Sequence, residues 1–76
     1  MTFEQFLTEL QFIMQSDTPL TADTHLWDIE EWDSLAIMSC MAWFDKNFGV
    51  KTKFAQYSAL DTPAQVAALV GDAIKG

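Results

Sequence analysis

The 76-residue chain has no lysine or arginine before position 46. All four of its basic residues, Lys46, Lys51, Lys53 and Lys75, lie in the second part, where the only acids are Asp61 and Asp72. Residues 1–45 hold nine acids, so the two parts carry formal charges of −9 and +2, and the chain −7. Such a surface repels the phosphates of nucleic acid and of anionic lipid, and neither is an expected partner. A single cysteine excludes an internal disulfide, and one cysteine with one histidine cannot build a zinc site, so no metal centre is expected. The three glycines form no phosphate-cradling pattern. No apolar run approaches the roughly 18 residues of a membrane span. The opening MTFEQFLTEL lacks both the basic and the continuously apolar segments of a signal peptide. These absences lead to the expectation of one domain over 1–76, monomeric, in a reducing compartment such as the cytoplasm.

Half of the residues are apolar and 13% aromatic, which is the composition of a folded chain rather than a disordered one. Thr2 and Gln5 are spaced as a capping box, and Phe3, Phe6, Leu7, Leu10, Ile13 and Met14 follow at helical intervals. They predict a first helix over about 3–15. Residues 16–33 read as a long connection, broken by Pro19 and rich in turn formers. The connection also carries Leu20, Leu26, Trp27 and Ile29, which argue that it is packed down. A second helix begins at Asp33 or Ser34 and runs to about Phe48, where Gly49 stops it. Phe54 and Tyr57, three apart, suggest a short helical turn in the 51–57 segment. Thr62, Pro63 and Gln65 form a second capping box with proline at the first helical position. Val66, Leu69, Val70, Ala73 and Ile74 then line one face of a last helix, with Lys75 at its negative end. The expected fold is all-α: a small four-helix bundle of three main helices and one short one, with a long first loop and no strand.

Catalytic chemistry finds little footing. His25 and Ser34 with a nearby carboxylate do not make a specific triad spacing, and His25 reads as an ordinary loop residue. Cys40 falls in the apolar pattern of the second helix and reads as a small core residue. An EF-hand register from Asp23 would need an oxygen ligand where Trp27 stands and a glycine where Asp28 stands. On the second helix, Ile37, Cys40, Met41, Phe44 and Phe48 share the core side. Leu35, Met38 and Ala42 share another. Either the first loop folds over Leu35 and Met38, or they form an exposed contact strip. Trp43 lies between the polar and core sectors.

Asp33-Ser34-Leu35 lies within a longer pattern. Upstream are Leu20-Thr21-Ala22-Asp23-Thr24, Leu26-Trp27-Asp28-Ile29 and Trp32; downstream are Phe48-Gly49-Val50 and Leu60-Asp61-Thr62-Pro63. With these, the chain resembles the acyl carrier protein family, which includes peptidyl carrier domains. The resemblance implies a discrete, non-enzymatic carrier. Ser34 would bear a 4′-phosphopantetheine arm in phosphodiester linkage, attached by a phosphopantetheinyl transferase, and the arm's thiol would hold an acyl, ketide or aminoacyl group. Asp33 would help the transferase position hydroxyl and metal, and Leu35 would pack beside the arm. The other partners implied are a loading ligase and downstream synthase or transferase enzymes. The alternative is a helical interaction module in which Ser34 is only a helix cap.

Two departures bear on the subtype. Trp32 stands where the family motif often has glycine. The outward side of the second helix reads Ala36, Met38, Ser39, Ala42 and Lys46, with Asp45 its one acid, whereas fatty-acid carriers are acidic there. Both point to a specialised lipid, polyketide, peptide or other secondary-metabolite pathway. Partners are expected to dock on Leu35, Met38 and Ala42, with Asp28, Glu30 and Glu31 steering basic surfaces toward them.

Overall fold

In the computed structural model, which describes residues 1–75, four α-helices surround one hydrophobic core. Helix α1 spans Phe3–Met14, α2 Ser34–Phe48, α3 Phe54–Ser58 and α4 Pro63–Ala68. The expected all-α bundle is therefore present. Among the described residues the only β-type pairing is one isolated bridge between Thr2 and Lys75.

Both capping boxes form. Thr2 Oγ1 accepts from the Gln5 N–H at 3.1 Å, and Gln5 Oε1 accepts from the Thr2 N–H at 2.9 Å. Thr62 and Gln65 repeat the exchange at the start of α4, behind Pro63. Helix α1 closes one residue earlier than its spacing suggested, because Gln15 turns left-handed at φ 54°. Helix α2 closes on Gly49 at φ 66°, a conformation glycine adopts without a Cβ penalty.

The last helix differs from expectation. It ends at Ala68, and Gly71 at φ 59° turns the chain into a short 3-10 segment, Gly71–Ala73. A 3.6-residue apolar period continued through this break, since Val70 and Ile74 are buried by a turn and an extended segment instead. Lys75 consequently does not sit at a helix end. Its N–H donates to the Met1 carbonyl, and its carbonyl accepts from the Phe3 N–H, tying the chain's two ends together.

Helix α1 packs on α2 and α4, and α2 packs on α3. The centre is aromatic: Phe6 stacks on Phe44 with ring centroids 6.0 Å apart, and Trp32 meets Tyr57 at 6.5 Å. Trp43, unplaced by periodicity, lies half-buried against Phe6, Phe44 and Phe48. Cys40 is fully buried, and burial pushes its thiol up to about 12, with the Tyr57 hydroxyl opposing that shift. Tyr57 is raised too, chiefly by burial, while its hydroxyl bonds Thr52 Oγ1 at 2.8 Å and fastens α3 to the preceding segment.

The long first connection is packed down, as its apolar residues suggested: Leu20, Leu26 and Trp32 are buried and Ile29 is half-buried. Leu26–Asp28 forms a 3-10 turn. Trp27 is the exception, about half exposed, with its ring edge-on to Trp32 and its Nε1–H donating to the Leu60 carbonyl at 2.6 Å. Two backbone bonds join the same segments. The Leu26 N–H donates to the Asp61 carbonyl at 2.7 Å, and the Ala64 N–H donates to the Ala22 carbonyl at 3.3 Å.

Candidate functional site

Asp33 precedes α2 in extended backbone, and its carboxylate accepts from the Ala36 N–H at 2.9 Å. Asp33 is therefore the N-cap. The reading of Ser34 as the capping residue is corrected: Ser34 is the first residue inside the helix, one position past the cap. A side chain there is too far along the turn to reach back to the free first-turn donors that Asp33 serves. Ser34 is exposed. Among the described residues its hydroxyl has no protein partner, nor do the backbone N–H groups of Ser34 and Leu35.

The apolar strip beside it is open. Leu35 is 68% exposed, Met38 53%, and Ala42 is exposed as well, so the first loop does not cover them. The opposite side behaves as the spacing required: Ile37, Cys40 and Phe44 are buried, with Met41 and Phe48 partly so. Ala36, expected on the outward side, is instead buried, and Ser39 is half-buried. One residue on a helix turns the side chain by about 100°, which is enough to carry a small residue from rim to interior.

Ser34, Met38, Met41 and Asp45 follow at four, seven and eleven positions, one stripe of α2. Beside that stripe lies an open groove of about 380 Å³, lined by Met38, Met41, Ala42, Asp45, Lys51 and Thr52. A second groove of about 390 Å³ lies toward α1, between Ile13 and Met14 on one wall and Leu35 and Ala36 on the other.

The acids upstream do not act as one group. Asp28 and Glu30 are exposed, without an ion-pair partner among the described residues. Glu31 is half-buried, and its Oε1 accepts from the Ser16 hydroxyl at 2.9 Å. Ser16 Oγ in turn accepts from the Thr18 N–H. Glu31 thus fastens the end of the long loop to the end of α1, and of the steering acids it is the one with a structural task. Nothing in the spacing of residues 15 apart could have shown that bond. Trp32 is buried against Trp27 and Tyr57, and its Nε1–H has no partner among the described residues.

His25 is more than a plain loop residue. Its Nδ1 lies 2.5 Å from Asp61 Oδ2, forming the one side-chain ion pair among the described residues. The bond and charge of Asp61 raise the imidazole above its ordinary value, with Asp28 and Asp23 adding to the effect. Among the described residues no group of three or more His, Cys, Asp or Glu converges as a metal site, and no helix is long and apolar enough to cross a membrane.

Comparison with protein-family models, with curated proteins and with solved structures finds no match to this chain.

Proposed function

We propose that the chain is a carrier protein of the acyl carrier type, with a 4′-phosphopantetheine arm on Ser34. The observation that carries the reading is the division of labour at the start of α2. Asp33 supplies the cap, leaving an exposed Ser34 hydroxyl with no internal bond at the head of a 15-residue helix. A serine needed only for capping would not stand one position past a working cap.

The residues present suit a phosphodiester-linked arm. The unpartnered N–H groups of Ser34 and Leu35, at the positive end of the α2 dipole, favour an anion there. The stripe from Ser34 through Met38 to Asp45 offers the arm a course along the helix, and at 1.5 Å per residue Met38 lies about 6 Å along the axis. When bound, the arm supplies a thiol that holds an acyl or aminoacyl group and presents it to partner enzymes. Leu35 and Met38, both exposed beside Ser34, would give the arm an apolar flank. Attachment makes the next reaction effectively intramolecular, which is what a carrier without a catalytic constellation contributes.

Partners in this reading are a phosphopantetheinyl transferase, a loading ligase and a downstream synthase or transferase. They dock on Leu35, Met38 and Ala42, with Asp28 and Glu30 as the free steering charges. The mixed, weakly acidic outward side of α2 favours a specialised lipid, polyketide or peptide pathway over housekeeping fatty-acid synthesis. A lone buried thiol is in keeping with the cytoplasm, where it stays reduced.

The test is covalent. Incubation with coenzyme A, magnesium and a promiscuous transferase should add one phosphopantetheinyl group to the wild type and none to Ser34→Ala. A folded wild type left unmodified by several transferases favours the interaction-module reading instead.

A further inference from the structure

The first loop is fastened to the α3–α4 connection and the start of α4 by four bonds, and only one of them responds to a proton near neutrality. The Leu26 N–H to Asp61 carbonyl bond, the Trp27 Nε1–H to Leu60 carbonyl bond and the Ala64 N–H to Ala22 carbonyl bond are indifferent to pH near neutrality. The fourth joins His25 to the Asp61 carboxylate, 36 residues away. We propose that the His25–Asp61 pair is a proton-operated latch that holds the first loop against the start of α4 most firmly when the imidazole is charged and loosens when the proton leaves and the pair is reduced to a hydrogen bond.

The placement supports more than a chance surface pair. His25 directly precedes the Leu26–Asp28 3-10 turn, whose Leu26 is fully buried. Within that turn Trp27 lies edge-on to Trp32 at 6.3 Å. Trp32 directly precedes the Asp33 cap and Ser34. His25 is thus joined to the candidate attachment site by a short series of contacts through Trp27 and Trp32. The groups facing the imidazole are all acids: Asp61 from the α3–α4 connection, and Asp23 and Asp28 from the loop itself. No lysine or arginine lies in residues 1–45 to compete for Asp61 from the loop side.

The sign follows from linkage. Asp61 raises the folded imidazole above its ordinary 6.5. The pair's contribution is thus fully present below about 6.5 and is lost as pH rises through the raised folded value. The latch is closed in mildly acidic solution and slackens above neutrality. This inference does not depend on Ser34 being modified.

His25 is the sole histidine, so its ring resonances are assigned without ambiguity. Proton NMR titration of the unmodified wild type should give a midpoint above 6.5. Tryptophan emission and the melting temperature should change over the same interval, with the melting temperature lower on the alkaline side. His25→Gln, compared between pH 6 and 8.5, should lose that difference, and Asp61→Asn should bring the His25 midpoint down. A midpoint at or below the ordinary value overturns the latch even if both variants fail to fold. A pH-dependent melt in His25→Gln equal to that of the wild type overturns it as well.

Discussion

Asp33 and Ser34 are adjacent, but only Asp33 is held by the fold. Replacing Asp33 with alanine strips the Ala36 N–H of its acceptor and should cost about 1 kcal/mol in a urea melt. Asp33→Asn keeps an oxygen at the cap and should recover most of that loss. Ser34→Ala removes no internal bond and should stay within about 0.5 kcal/mol of the wild type. If Ser34→Ala proved the more costly of the two, the assignment of the cap would be wrong. Cys40 supplies a second contrast. With its thiol pushed up to about 12 by burial, almost no thiolate exists at neutral pH, so iodoacetamide should leave the native chain unmodified and alkylate it readily in urea. Rapid labelling of the native chain would show that α2 opens far more than its packing implies.

At the scale of elements, the starts of α1, α2 and α4 were legible and the close of α4 was not. Capping boxes at Thr2 and Thr62 declare themselves because the reciprocal bonds need only residues three apart. The close of α4 hid because Val70 and Ile74 keep the helical apolar period while Gly71 breaks the backbone beneath it. The Glu31–Ser16 and His25–Asp61 bonds were illegible for another reason: they join segments that only the folded loop brings together. For α2, the outward strip of Leu35, Met38 and Ala42 was visible as a departure from one-sided amphipathicity, and exposure of 68% at Leu35 and 53% at Met38 removes loop burial as its explanation. Met38→Glu should accordingly leave the circular-dichroism melt nearly unchanged and, under the proposed carrier function, slow transfer between the loaded chain and its partner enzyme. A loss of several kcal/mol from that substitution would mean that Met38 is buried in solution and would remove it from the docking strip.

Across the whole molecule, charge is the dominant imbalance. Nine acids and no lysine or arginine in residues 1–45 repel one another, and the His25–Asp61 contact is the one side-chain ion pair that salt could weaken among the described residues. Screening should therefore stabilise the chain, and its melting temperature should rise between low and moderate ionic strength. A flat or falling melting temperature would show that self-repulsion does not limit stability. The same imbalance should make association with a basic partner enzyme faster at low salt, an effect that Glu30→Lys would reduce and Glu31→Lys would confound by breaking the bond to Ser16.

The carrier reading itself turns on one hydroxyl, and intact-mass spectrometry after incubation with coenzyme A, magnesium and a promiscuous phosphopantetheinyl transferase tests it most directly. One added phosphopantetheinyl group is expected on the wild type and none on Ser34→Ala, with both proteins equally helical. A folded wild type that gains no mass with any of several transferases, or a Ser34→Ala variant that still gains it, would mean that Ser34 is not a carrier attachment site.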